Sequence, residues 1–339
     1  MVVLIGIDPH KATHTAVAVD REETTLGKLT VKADRHQVER LLTWAVVFPD
    51  RQWAVESANG LGFLVAQQLV AAGEVVVDVP PTLAARVRVL GSGKTQKNDP
   101  NDALSTAIAA LRAKRLRPVA AENHTAVLRL LADHHRDLVS LRTQAVCRLH
   151  ALVRCVIPGG TGLRLSASRA AAVLRTVRPT NAVDVERKRL ALGFVADIRR
   201  LDADMVTSKA RIVDAVASSG TRLTELYGVG PVVAALVIGH SGDMKRFANR
   251  DHGASYNATA PIEASSGPRV RHRLNPQGNR RLNHAIHMIA IAQISHPSVG
   301  RTYFDRKVSE GKTTKEALRA LKRHVSNAVY RQLLLDSER

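Results

Sequence analysis

Val2-Val3-Leu4-Ile5-Gly6-Ile7-Asp8 is the stretch on which the fold turns. A short continuous apolar run of this length reads as a strand buried on both faces. It closes on a carboxylate, Asp8. A second run, Trp53-Ala54-Val55, also closes on an acid, Glu56. Two more acids follow in Lys97-Asn98-Asp99-Pro100-Asn101-Asp102, where Asp99 and Asp102 open a predicted helix and lie i,i+3 on one of its faces. The chain gathers these carboxylates although its 50 Lys and Arg against 30 Asp and Glu leave a net charge of +20.

The elements around these runs fall into an order. His14–Val19 reads as a second strand and 29–32 as part of a third, joined by short connections that make an antiparallel meander. Val38, Leu41, Leu42, Ala45 and Val46 recur at helical spacing. A strand at 52–56, a helix over about 61–72 and a strand at 75–79 follow, closed by Pro80-Pro81. The order β-β-β-α-β-α-β-α is that of an RNase H-like (RuvC-like) domain, here residues 1–118. In such a fold Asp8, Glu56, Asp99 and Asp102 converge. Hard divalent cations take oxygen ligands, and a pair of Mg²⁺ ions supports in-line displacement at phosphorus, so Mg²⁺ or Mn²⁺ is the expected cofactor. Helix capping alone equally accounts for Asp99 and Asp102, with Asp99 as N-cap, Pro100 at N1 and Asp102 at N3. Asp8 on its own fits a turn, and Glu56 fits a pair with a surface arginine. The four together favour the metal.

Gly91-Ser92-Gly93-Lys94-Thr95 invites a phosphate-loop reading, which fails because the first glycine of that motif falls at Arg88. It reads instead as a flexible loop leading to the acidic helix, with Lys94 and Lys97 as candidate contacts to substrate phosphate. Residues 119–216 are expected to be a helical or coiled-coil middle domain broken by Pro158-Gly159-Gly160, with an ordinary helical bundle as the equal alternative. Residues 217–339 form a third, mostly helical domain. There Leu226-Tyr227-Gly228-Val229-Gly230-Pro231 resembles a helix-hairpin-helix element, in which the amides of Gly228 and Gly230 and a helix N-terminus would hold a phosphate; a plain glycine turn fits the same residues. Arg269, Arg271, Arg273, Arg280 and Arg281 cluster around a polar loop, and a basic tail, 301–339, is predicted helical.

The basic excess favours a polyanion as partner through counterion release, with a merely basic surface as the alternative. Aromatic residues make up only 3% of the chain, so backbone contacts rather than base stacking should dominate. Cys147 and Cys155 stand eight apart on a predicted helix, too far to bridge, and suggest neither a disulfide framework nor a zinc site. No signal peptide or apolar run of spanning length is recognised, so no membrane partner is expected and a cytoplasmic, nucleoid-associated location is. His284 and His287 share a helix face without a third ligand.

These motifs, in this order over nearly the whole length, resemble the DEDD transposases of the insertion-sequence one-ten group, which are bridge-RNA-guided recombinases. Gly6-Ile7-Asp8, 55–60 and 97–102 match that family's RuvC-like domain; Gly228–Pro231, Ala260-Pro261, Ser265-Ser266-Gly267 and 278–282 match its C-terminal transposase domain. The chain departs from the family at Asn275-Pro276-Gln277, where a lysine often stands. The resemblance implies metal binding by Asp8, Glu56, Asp99 and Asp102. It also implies a serine nucleophile, Ser266, that attacks the scissile phosphate, with Arg269, Arg271 and Arg273 as clamps on its oxygens. The partners it implies are double-stranded DNA, a structured guide RNA and further copies of the chain, as a dimer or tetramer, in which one subunit's acids serve another's serine. Ser265 leaves the register of the nucleophile open by one. A RuvC-like nuclease using metal-activated water, and a non-enzymatic nucleic-acid scaffold, are the alternatives.

Overall fold

Strand β1, Val3–Pro9, is buried at every residue and is the axis of the first of two compact units, Met1–Glu122 and Asn123–Arg339, in a computed structural model that describes residues 2–92, 98–162, 165–265 and 272–338. In the first unit β2 (Thr13–Val19) pairs antiparallel with β1, and β3 (Thr25–Lys32) pairs antiparallel with β2. After α1 (Gln37–Ala45), β4 (Arg51–Glu56) returns parallel to β1 in the register Ile7↔Val55. After α2 (Phe63–Ala71), β5 (Val76–Val79) runs parallel to β4. Two helices follow, α3 (Pro81–Ser92) and α4 (Asp99–Arg112), and then the two-residue edge strand β6 (Arg117–Pro118), antiparallel to β5. The sheet order β3-β2-β1-β4-β5-β6 is the RNase H-like arrangement that the order of elements predicts.

Side chains alternate across a strand, so β1 sends its residues to two different cores. Val3, Ile5 and Ile7 join Leu41 and Ala45 of α1 and Val65, Ala66 and Leu69 of α2. Leu4 points the other way, onto Ala103 and Ala107 of α4. Gly6 shares that second face. A Cβ there would overlap the Ala103 carbonyl oxygen and lie 2.5 Å from the Ala107 amide nitrogen. The missing side chain lets α4 lie directly on β1, and the small buried residues Ala103 and Ala107 are its counterpart on the helix. Asp8 is the next residue on this face.

Two local expectations are corrected. The element order lacked α3; Pro81 stands at its start, where proline costs the least, and Gly91 and Ser92 belong to its last turn instead of a loop. The N-cap of α4 is Asn98, whose extended backbone and side-chain acceptor for the Asn101 N–H (2.9 Å) open the helix. Asp99 is therefore the first helical residue, Pro100 the second, and the capping explanation of Asp99 falls away.

The second unit is built on α5 (His124–Val156) and α7 (Ala182–Ser218), which pack along each other with α6 (Ala167–Thr176) between them in sequence. Leu138, Leu149 and Val153 of α5 meet Val195, Ile198 and Leu201 of α7 in one cluster. Nearer the opposite ends, Leu128, Leu131, Ile212 and Val216 enter a larger core with the remaining helices. These are α8 (Pro231–Ser241), α9 (Arg250–Tyr256), α10 (Arg280–Ile294), α11 (Val299–Ser309) and α12 (Thr314–Asp336), with a small hairpin of β7 (Ile262–Glu263) and β8 (His272–Arg273) after α9. Helix α12 starts with a capping box, Thr313 with Glu316, and buries Leu321, Val325, Val329 and Leu333. The segment read as a basic tail is thus a wall of the core on one face. Among the described residues no helix is long and apolar enough to cross a membrane.

Gly6→Ala should destabilise the chain by about 1–3 kcal/mol, the usual cost of forcing a methyl group into filled space. Urea unfolding with a wild-type slope and a lower midpoint is the expected result; an unchanged midpoint would mean that α4 does not rest on β1 in this way.

Candidate active site

The face of β1 that carries Leu4 and Gly6 ends at Asp8, which is 7% exposed. Parallel pairing sets the end of β4 alongside, which brings Glu56 beside it. Asp102, the residue before Ala103 at the start of the Ala103–Ala107 contact surface of α4, is 6% exposed. Asp8, Glu56 and Asp102 line one cavity of about 230 Å³, together with His10, Arg88 and the apolar wall Pro81, Ala84 and Ala85 from α3. Asp99, half exposed, is tied to the group through His10. The His10 Nε2 lies 3.0 Å from Asp8 Oδ2 and 3.4 Å from Asp99 Oδ1. Donor atoms of Asp8, His10 and Asp99 all lie within 4.8 Å of one another.

Burial pushes the Asp8 carboxyl above its ordinary range, and the neighbouring charges of Asp102 and Asp99 push the same way, against the opposing effect of His10. Glu56 is raised for the same reason, by burial first and then by Asp8 and Asp102, while Thr106 and Arg88 oppose the shift. The Thr106 hydroxyl sits 3.5 Å from Glu56 Oε2 and 2.9 Å from the Asp102 carbonyl. Arg88 forms an ion pair with Asp102. Carboxylates that repel one another in a half-closed cavity, with an arginine and a histidine as the neighbouring counter-charges, fit a hard divalent cation in their donor chemistry.

The turn after Glu56 is held from the sheet. Asp78 of β5 accepts from the Ala58 N–H at 2.8 Å and from Asn59 Nδ2 at 2.7 Å. Gly62 has no room for a Cβ, which would lie 2.5 Å from Val55 Cγ1 and 2.8 Å from the Glu56 carbonyl oxygen.

Sequence reasoning missed His10 and Arg88. His10 was legible: it stands two residues beyond Asp8, and i,i+2 spacing on an extended chain puts both side chains on one face. Arg88 had no such signal, because its helix was not foreseen.

In the second unit, Ser265 is exposed just after β7. Ser266, Arg269 and Arg271 lie outside the described residues, as do Lys94 and Lys97. Arg273 in β8 pairs across from Ile262 and is exposed, as are Arg280 and Arg281 in the first turn of α10. The Gly278-Asn279 pair has a structural task. Gly278 lies so close to Ala258 that a Cβ would be 2.5 Å from the alanine methyl. Asn279 caps α10 and donates its backbone N–H to the Tyr256 carbonyl at 2.7 Å. Gly228 adopts φ +88 and packs on α10, where a Cβ would lie 3.1 Å from the Ile289 carbonyl oxygen. Gly230 is the N-cap of α8, ahead of Pro231.

The unit with the acidic cavity is an RNase H-like domain followed by a helical region. Residues 5–158 match the DEDD transposase family typified by IS110, and residues 220–305 match the transposase family IS116/IS110/IS902. The chain belongs to the IS110 family of transposases, enzymes that cleave and rejoin DNA. It is 28% identical to the "Insertion element IS116 uncharacterized 44.8 kDa protein" of Streptomyces clavuligerus, over 98% of this chain and 94% of that one. It is also 28% identical to the "Insertion element IS900 uncharacterized 42 kDa protein" of Mycobacterium paratuberculosis, over 98% and 95%. A solved structure, "T. thermophilus RuvC in complex with Holliday junction substrate", is similar with a TM-score of 0.28 and 18% identity, over 35% of this chain and 100% of that one.

The raised carboxyls of Asp8 and Glu56 bind protons more tightly in the folded state than in the unfolded one. Their contribution to stability is therefore full below the unfolded carboxylate values and is lost as pH rises through the raised folded values. In chelator at pH 7, Asp8→Asn should melt higher than wild type, and the difference should narrow as the pH is lowered into the carboxylate range. A divalent cation should reverse the ranking, stabilising wild type by about 2.7 kcal/mol at 100 times its Kd and the variant by less. Scanning calorimetry with and without chelator reads both effects.

Proposed function

We propose that this chain excises and inserts its own insertion sequence by RNA-guided, metal-assisted serine attack on DNA. The observation that carries the reading is the convergence of Asp8, Glu56 and Asp102 on one cavity, with Asp99 joined through His10, in a chain of the IS110 family. Asp8, Glu56, Asp99 and Asp102 would hold the cation, with Mg²⁺ or Mn²⁺ as the natural choices for oxygen donors. Bound there, such a cation supplies Lewis-acid stabilisation to the oxygens entering and leaving phosphorus. Arg88 and Thr106 restrain Asp102 and Glu56, and His10 fixes the spacing of Asp8 to Asp99.

Ser266 is the proposed nucleophile. Its hydroxyl oxygen forms a bond to the scissile phosphorus, the bond from phosphorus to the leaving deoxyribose oxygen breaks, and the serine proton passes by way of solvent to that oxygen, which departs as a hydroxyl. The product is a phosphoserine ester that keeps the energy of the phosphodiester. Attack by a deoxyribose hydroxyl of a second strand reverses the chemistry, frees the serine and joins the new pair of ends. Arg269, Arg271 and Arg273 are the proposed clamps on the phosphate oxygens, a task suited to the planar guanidinium fork. Lys94, Lys97, Arg280 and Arg281 are proposed as further backbone contacts, and the amides of Gly228 and Gly230 as a phosphate seat. Specificity by base pairing to a structured RNA would leave the protein to read backbone and shape, which agrees with a basic, aromatic-poor chain. Strand exchange between two sites calls for more than one copy, as a dimer or tetramer, and such an enzyme works on the nucleoid.

The test is strand exchange on an element junction with the RNA from its flank. Ser266→Ala and Asp8→Asn should each reduce exchange to background, and denaturing gels should show a protein–DNA adduct in wild type that is absent from Ser266→Ala. Full exchange by Ser266→Ala would defeat the serine mechanism. Cleavage that survives Ser266→Ala but not Asp8→Asn would assign the attack to water.

A further inference from the structure

A groove of about 1040 Å³ lies wholly within the second unit, between the first turns of α10, the base of the β7–β8 hairpin and the outer face of α12. Arg273 and Arg280 line one side. Lys315, Arg319, Lys322 and Arg323, all from α12, line the other. No Asp or Glu lines it among the described residues. We propose that this groove seats the phosphodiester backbone of duplex DNA, with α12 as the recognition element; the choice of DNA rests on the recombinase reading above.

The spacing on α12 is that of a ladder. A rise of 1.5 Å per residue sets Lys315, Arg319 and Arg323 about 6 Å apart in turn along one face. The opposite face, through Leu321, Val325 and Val329, is fixed in the core, so the cations cannot rotate away. Lys315 and Arg319 are exposed and unrestrained by any ion pair among the described residues. Arg323 is partly neutralised by Asp251, which approaches from outside the groove lining.

Lys322 is the least expected of the set. It is half-buried, and burial pushes its ammonium below the ordinary lysine range. Its Nζ donates to Asn283 Oδ1 at 2.7 Å, and no carboxylate pairs with it among the described residues. An ammonium has three N–H donors, so two remain for a ligand. Asn283 in turn donates to the carbonyls of Asn257 (3.0 Å) and Ala258 (3.2 Å), which anchors the groove floor to the end of α9. A partly desolvated cation that is held in place but not neutralised is arranged to meet an anion from outside. His284 and His287 add donors on the α10 wall. Among the described residues no Phe, Tyr or Trp lines the groove, so it offers cations to phosphates and no stacking platform to unpaired bases.

Fluorescence anisotropy with the full chain and a labelled 30-base-pair DNA duplex tests this, because backbone recognition needs no particular sequence. Each lost phosphate contact lowers the dependence of log K on log salt by about one, so Lys315→Gln/Arg319→Gln should lower the slope by about two and weaken binding most at low salt. A wild-type slope and affinity in a variant that melts at the wild-type temperature would overturn the proposal. Loss of binding to an RNA duplex or single strand, with DNA binding intact, would also overturn it. Should the double variant melt early, Lys315→Gln alone gives the same readout with a slope change of about one. Failure of the recombinase reading is separable: if wild type exchanges no strands yet its DNA affinity depends on Lys315 and Arg319, the groove stands and that reading falls.

Discussion

The close approach of α4 to β1 at Gly6 is the constraint on which the acidic cavity depends. Backbone lies against backbone there, with only the alanine side chains of the helix between the two elements. Any side chain at position 6 would lift the helix and carry Asp102 away from Asp8. The rest of the unit serves that contact. Parallel pairing with β4 brings Glu56 to the level of Asp8, and α3 closes the cavity with Arg88 on its inner face. The alternation along β1, with bulky Ile5 and Ile7 on one side and Gly6 and Asp8 on the other, divides one strand between core and chemistry.

The electrostatics of the cavity run against the charge of the chain. A net charge of +20 draws a polyanion to the surface, yet in the cavity burial, helped by the neighbouring carboxylates, raises the proton affinity of Asp8 and Glu56. The two features are complementary. Lysines and arginines displace small counterions from the phosphates of a backbone, while a carboxylate cavity favours a cation over phosphate. Arg88 beside Asp102 and His10 between Asp8 and Asp99 oppose this rise in proton affinity without cancelling it, since Asp8 and Glu56 stay raised. The protein alone is therefore destabilised at this point, a common cost of a site built for a ligand.

Much of this was readable in the residues, and the failures have specific causes. Strands β1, β2, β4 and β5 and the meeting of Asp8 with Glu56 followed from apolar runs, two of which end on acids, because a buried run has few alternatives to a strand; Asp102 was placed with them by the order of elements, and the two-residue β6 left no signal. Helix α3 was lost because its apolar periodicity is weak and the glycines near its end look like a loop. The start of α4 was misread by one residue because Asn and Asp are near-equal N-caps and only the backbone of Asn98 tells them apart. The glycines at 228 and 278 carried a stronger functional expectation than their geometry requires, since both are accounted for by close backbone approach or positive φ.

The same ambiguity explains why α12 was read as a tail. Its sequence is dense in Lys and Arg, and a composition-based reading gives that density to solvent. The apolar residues at 317, 321, 325, 329 and 333 recur every four positions, which is enough for a narrow stripe against the core. A narrow stripe leaves most of the helix circumference free for charge. Anchoring by that stripe turns what would be a mobile basic segment into a rigid row of cations, and rigidity lowers the side-chain and backbone entropy lost when a polyanion binds. A helix can thus belong to the core and to the binding surface at once, and in this chain the second role is only possible because of the first.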